Sequence, residues 1–219
     1  MWKRIIDKEA PDWTIFLGDY CDSFDVTWAK QLGNLMDIEA YKRANPDNTV
    51  LLLGNHDWPY CGGDNNVSGY QGDYAHHFEI VFRDLFRDKL VQMCYVMDDY
   101  LFIHAGLTKA WCKTYDIAYP EQLNTLMYEG SKPFDFQQPA VKYLYSPYGD
   151  NVWQSPTWVR PMSLKQGAVD GWTQVVGHTQ HKKLTKDDAF GNNFYFCDTQ
   201  ETSGEYLVFI DGVPEIHTL

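Results

Sequence analysis

Several features that would define a protein class are missing from this chain of 219 residues. Its 5 cysteines stand at positions 21, 61, 94, 112 and 197, odd in number, far apart and without a C-x-x-C pair. Neither a disulfide framework nor a structural zinc site is expected from such a set, and a reducing cytoplasm fits it. No apolar run approaches the length of a membrane span, and the opening MWKRIIDKEA has basic residues without the apolar core of a signal peptide. The sequon Asn66-Val67-Ser68 is therefore read as a chance match in a polar loop. Positive charge is scarce: Lys and Arg total 18 against 30 Asp and Glu, for a net charge of −12. A nucleic-acid groove or an anionic membrane would reward the opposite sign, so neither is expected as a partner. A phosphorylated substrate stays compatible, because bound metal ions can supply positive charge locally.

What is present is globular. Hydrophobic residues make up 44% and charged residues 22%, a balance and length that suit one domain over residues 1–219 with a substantial core. Short runs rich in β-branched and aromatic residues, at 13–17, 49–53, 100–104, 173–176, 193–197 and 205–210, read as strands. Residues 94–97 join the run at 100 through Asp98-Asp99, and 205–210 meets 213–217 through Asp211-Gly212, a hairpin signal. Residues 25–43 carry Trp28, Leu32, Leu35, Met36 and Ile38 near helical spacing, and residues 74–85 carry Phe78, Val81, Phe82 and Leu85. This order implies an α/β sandwich with functional groups on loops at the carboxyl ends of its strands. Residues 58–73, WPYCGGDNNVSGYQGD, have no periodicity of their own and read either as a substrate flap or as a solvated insertion. Residues 131–161, rich in proline and aromatics, are expected to wrap the surface.

The strand ends carry the informative residues. The first gives FLGDYCD with Asp19 and Asp22, the second LLGNHD with Asn55 and His56, the third FIHAGL with His104, and a later one VVGHTQ with His178. Each alone has a plain structural explanation as a turn, a helix cap or a satisfied core histidine. Together, Asp, Asn and two His form a mixed oxygen and imidazole set that suits manganese, iron or zinc, whereas calcium calls for oxygen ligands throughout.

GDxxD, GNHD, HAG and GHT in this order resemble the calcineurin-like metallophosphoesterase superfamily, and within it the phosphoprotein-phosphatase branch with its bacterial diadenosine-tetraphosphatase-like members. GNHD alone would occur by chance in roughly one chain of this length in a thousand. The resemblance extends from Trp13 to about Asp198, where FCDT looks like the family's late strand. It implies a metallophosphoesterase-type sandwich of mixed β-sheets flanked by helices, and two divalent metal ions. Asp19 then corresponds to the carboxylate that bridges the metals, with Asn55, His104 and His178 completing the ligands of the second. His56 corresponds to the general acid and Asp22 to its orienting partner, while Arg160 in SPTWVRP, with Asn55, would hold the substrate phosphate. The implied reaction is hydrolysis of a phosphomonoester, phosphoprotein or nucleotide polyphosphate by a metal-activated hydroxide, with His56 protonating the departing oxygen. Asp57 is expected to cap the segment that follows it.

Some positions depart from the family's pattern. Its opening Asp-x-His has no counterpart before Asp19, so the first metal's ligands are incomplete. Residues 1–10 look instead like the tail of the helix that follows the missing opening strand. Two accounts fit: a chain short of roughly 10 to 25 N-terminal residues, or a natural member that keeps one metal site. The exposed sheet edge left by a lost strand favours the first. Ser23-Phe24 stands where phosphoprotein phosphatases carry Arg-Gly, which weakens a protein-phosphatase assignment, whereas Gln180 after GHT agrees with that branch. The functional alternatives are therefore a metal-dependent phosphoesterase and a catalytically impaired phosphatase-like binding protein with an incomplete dinuclear site.

Overall fold

The computed structural model describes residues 1–129, 132–136 and 150–219, and its strands sort their side chains between two apolar layers. Helix α1 (Trp2–Glu9) leads to β1 (Thr14–Phe16), α2 (Trp28–Ala44) to β2 (Thr49–Leu52), and α3 (Ala75–Arg87) to the short β3 (Val91–Gln92). These strands form a parallel sheet in the order β1-β2-β3. Thr49 to Leu52 are all buried, and a strand covered on both faces reads as an unbroken apolar run. The second sheet contains β4 (Cys94–Met97) and β5 (Tyr100–Ile103). After helices α4 (Lys109–Tyr115), α5 (Gln122–Tyr128) and α6 (Pro161–Gly167) it adds β6 (Thr173–Val176), β7 (Thr185–Asp187) and β8 (Asn193–Phe196). Its order is β4-β5-β6-β8-β7, parallel from β5 to β8 with antiparallel strands at both edges. The chain closes with the hairpin of β9 (Glu205–Ile210) and β10 (Val213–Thr218), turning at the expected Asp211-Gly212.

Period-two alternation allots the side chains. Val50 and Leu52 of β2 meet Phe102, Val175 and Tyr195 of the second sheet, with Leu207 and Phe209 packed against them. The alternate residues, among them Leu51, Leu101, Ile103 and Phe194, join Leu35 of α2, Phe78 and Phe82 of α3, Trp111 of α4 and Leu164 of α6. The mixed sandwich flanked by helices is thus the observed fold. Truncation of one fully buried ring, such as Phe82→Ala, is expected to remove about 3–5 kcal/mol.

Helical structure, expected within residues 1–10, is observed there as α1. It ends where Ala10 turns left-handed at φ 44° and donates its N–H to Ile6 O. Trp2 donates to Asn34 Oδ1 at 2.9 Å and meets Phe16 and Tyr41 edge-on, which holds α1 against α2 and β1. β3 and β7 were not anticipated: one is two residues long and the other, TKD, is polar. The surface wrapping expected for residues 131–161 is corrected where they are described. Phe134, Ser155, Thr157 and Val159 are buried, and the Ser155 and Thr157 hydroxyls both donate to Phe134 O. Residues 130, 131 and 137–149 lie outside the described residues. No helix among the described residues is long and apolar enough to cross a membrane.

Candidate active site

The loops after β1 and β2 interlock because each begins with glycine. A Cβ on Gly18 (φ 100°) would lie 2.5 Å from the Gly54 nitrogen, and one on Gly54 would lie 2.1 Å from Asp19 Oδ1 and 2.7 Å from His104 Cε1. Neither position has room for a side chain. Asp57, fully buried, binds the two loops together: its carboxylate accepts N–H bonds from Asp19 at 2.7 Å, Tyr20 at 2.8 Å and Gly54 at 2.9 Å. The expectation that Asp57 caps the following segment is therefore corrected, since it makes no side-chain cap bond to the 3₁₀ turn at Trp58–Cys61. Burial first, and then the charge of Asp19, raise its carboxyl to about 7 against the pull of the Gly54 and Tyr20 N–H groups. Asp19, Asp22 and His178 all adopt left-handed backbone, at φ 60°, 66° and 63°. Such strain, about 1–3 kcal/mol per residue, is typically held at functional sites by the surrounding structure.

Four predicted residues converge at the mouth formed by β1, β2, β5 and β6. Asn55 Oδ1 lies 3.0 Å from His104 Nε2 and 2.8 Å from His178 Nδ1, and Asp19 Oδ2 lies 3.3 Å from His104 Nε2. Ligand atoms of Asp19, His104 and His178 all fall within 4.8 Å of one another. The outer ring nitrogens fix the tautomers, because carbonyl oxygens only accept: His104 Nδ1–H donates to Leu17 O at 2.7 Å, and His178 Nε2–H to Trp158 O at 3.2 Å. Burial first, then the charges of His104 and Arg160, hold His178 well below the usual imidazole range. Neutral His178 thus turns a lone pair toward the Asn55 oxygen, leaving two acceptors 2.8 Å apart. A cation between them resolves that conflict, so the donor set fits a divalent metal. Burial opposes charge on His104, but Asp19 outweighs it and raises the imidazole. Burial likewise acts upward on Asp19, and the charge and hydrogen bond of His104 first, then the charge of His56, hold it well below the carboxylate range.

His56 lies beside this set without joining it. Its Nδ1 is 3.3 Å from Asp22 Oδ2, and its backbone N–H donates to Asp19 Oδ1 at 3.1 Å. Burial would lower the imidazole, yet the hydrogen bond to Asp22 and the charges of Asp19 and Asp22 leave it raised. The Asp22 carboxylate is itself buried and accepts a second hydrogen bond, from Tyr60.

The family model described as calcineurin-like phosphoesterase matches residues 1–204. The chain belongs to that family. Membership makes it a metallophosphoesterase-type hydrolase and implies divalent metal ions and phosphorylated substrates. Among solved structures, it is similar to a cold-active protein-tyrosine phosphatase of the psychrophile Shewanella sp., at 18% identity over 94% of this chain and 70% of that one, with TM-score 0.61. A protein serine/threonine phosphatase from Saccharomyces cerevisiae matches at 14% identity over 100% of this chain and 75% of that one, with TM-score 0.55. At these identities the likeness is one of fold.

Around the metallophosphoesterase site, residues 155–160 form a wall. Pro156 O accepts from the N–H groups of Ala105 and Gly106, which binds the segment to the loop after His104. Trp158 is thereby set 6.5 Å from the His56 ring and 5.8 Å from the His178 ring. Arg160 donates to Thr179 Oγ1 at 3.2 Å, and burial lowers its guanidinium. A cleft of about 570 Å³ is lined, among the described residues, by Asn66, Val67, Ser68, Phe136, Asp150, Trp158 and Arg160. The 58–73 loop therefore borders the cleft, which favours a flap over a solvated insertion. Asp135 pins its beginning, accepting from the Trp58 indole and the Asp64 N–H at 2.9 Å each. Phe24, 77% exposed, lies against this loop at Gly69. Sequence reasoning missed Tyr60 and Trp158. The only signal for Trp158 was its place two residues before Arg160, and Tyr60 had none.

Proposed function

We propose that the chain hydrolyses phosphate esters at this site, with Asp19, Asn55, His104 and His178 holding a divalent cation and His56 donating a proton to the leaving group. The observation that carries this reading is geometric: ligand atoms of Asp19, His104 and His178 lie within 4.8 Å of one another with Asn55 Oδ1 close to both imidazoles, while His56 stands beside the set with its Nδ1 3.3 Å from Asp22 Oδ2. His56 commits Nδ1–H to Asp22, so Nε2 is the atom that hands over the proton. A divalent cation here supplies Lewis acidity toward a phosphoryl oxygen and acidifies the water it binds. Arg160, at the edge of the cleft, would grip the phosphate with Asn55, and a guanidinium fork suits that role. The mixed donor set favours manganese, iron or zinc, and the free cysteines suit a reducing cytoplasm.

The walls of the cleft favour an aromatic leaving group. Trp158 and Phe136 have ring centroids 4.7 Å apart, and one structural relative is named a protein-tyrosine phosphatase. Elemental analysis after manganese loading, with hydrolysis of phosphotyrosine and phosphoserine peptides, tests both points. Metal-dependent turnover that prefers phosphotyrosine and falls in His56→Asn is expected. Bound metal without hydrolysis of either peptide or of an alkyl phosphate would replace this reading with that of a phosphatase-like binding protein.

A further inference from the structure

We propose that Tyr60 is a positioning residue for the Asp22–His56 pair and ties that pair to the closing end of the flap at Gln71. This rests on the reading of His56 as proton donor. The polarity of the chain of contacts is fixed by what each group can do. The Gln71 N–H can only donate, and does so to Tyr60 Oη at 2.9 Å. A carboxylate can only accept, so the phenolic O–H points to Asp22 Oδ1 at 2.5 Å. The other oxygen, Oδ2, is left for His56 Nδ1–H at 3.3 Å.

Everything about Tyr60 keeps that O–H in place. Its ring is 3% exposed and lies 5.0 Å from Tyr70, 5.0 Å from Phe78 and 6.2 Å from Phe82, centroid to centroid. Burial first, and then the Asp22 hydrogen bond, push the phenol far above its ordinary range, so it remains a donor. Asp22 has left-handed backbone at φ 66°. Its carboxylate accepts two bonds, one from the His56 ring it serves and one from Tyr60. Gln71 stands where residues 62–71 return to the fold, and a flap that shifts there withdraws the N–H that Tyr60 accepts.

Tyr60→Phe keeps the ring packing and deletes one oxygen. In nitrogen-15 NMR of the His56 ring, recorded on the metal-free protein, the proposal expects the Nδ1–H tautomer of the wild type to give way to a mixture in Tyr60→Phe. In turnover, kcat for an alkyl phosphate, whose leaving group needs a proton, should fall about 10-fold. A nitrophenyl phosphate should be nearly unaffected, with KM unchanged for both. In an Asp22→Asn background the same substitution should add nothing. An unaltered His56 ring in Tyr60→Phe overturns the proposal, and so does an equal loss on both substrates accompanied only by a lower melting temperature. If His56→Asn itself fails to discriminate the two leaving groups, the proton-donor reading falls instead. The ring measurement decides the positioning role in either case.

Discussion

The proposed ligand set spans the seam between two sheets, with Asp19 and Asn55 following β1 and β2 and His104 and His178 following β5 and β6. The Asp22–His56 pair is drawn from the loops after β1 and β2 alone, where Tyr60 and Asp57 hold those loops in place. One assembly therefore depends on how the sheets dock through Val50, Leu52, Phe102 and Val175, and the other on local hydrogen bonds. The proposed oxygen ligands and proton donor come from the parallel sheet, and both proposed imidazole ligands from the mixed one. This division implies that metal binding and proton transfer can be damaged separately.

The largest separation is expected from the seam. His104→Ala removes a ligand and leaves Leu17 O without its donor, so metal affinity measured by calorimetry should fall by more than the ~10–100-fold that loss of a supporting hydrogen bond brings. Asp22→Asn attacks the other side. It should lower turnover of alkyl phosphates by ~100-fold or more while metal content by elemental analysis stays at the wild-type level. Parallel loss of metal would break the distinction between the two assemblies. Gly54→Ala should erase that distinction, because its Cβ meets both Asp19 and His104. A loss of about 1–3 kcal/mol in urea unfolding, typical of overpacking, should accompany weaker metal binding and slower turnover together.

The smallest effect lies away from the site. Glu9 accepts hydrogen bonds from Tyr206 at 2.5 Å and His217 at 3.1 Å, which joins the C-terminal hairpin to α1. The bond to Glu9 raises His217, so its contribution is present below the unfolded histidine value and is lost as pH rises through the folded one. Tyr206 first, then His217, lower Glu9, whose contribution is lost as pH falls through its depressed value. Amides of β9 and β10 should therefore be better protected from hydrogen exchange near about pH 6 than near about pH 8.5, after correction for intrinsic rates. His217→Ala should remove the difference, and a difference that survives it would contradict the account.

The sheets were legible in the sequence where one strand carried its own signal, as in the unbroken run of β2 or the turn at Asp211-Gly212. β3 and β7 were not, because Val91–Gln92 and Thr185–Asp187 are strands only through their pairing with β2 and β8. The same division holds in the site. Asp19, Asn55, His56, His104 and His178 stand directly after strand ends in short motifs that a linear reading finds. Asp57 bonds across 38 residues to Asp19, and Tyr60 bonds across 38 residues to Asp22. Their roles exist only once the loops meet. The burial of residues 154–157 and 159 was hidden by their proline-rich neighbourhood, because their covering partner, Phe134, lies 21 residues before Ser155 and 23 before Thr157.

The separability of ligand set and proton donor is tested most directly by titrating Mn²⁺ into the wild-type, His178→Ala and His56→Asn proteins in one calorimetric series. The account predicts that wild type and His56→Asn bind alike, while His178→Ala binds at least ~100-fold more weakly, beyond the loss expected from a supporting contact. Equal binding by all three proteins, or equal loss in both variants, would contradict it.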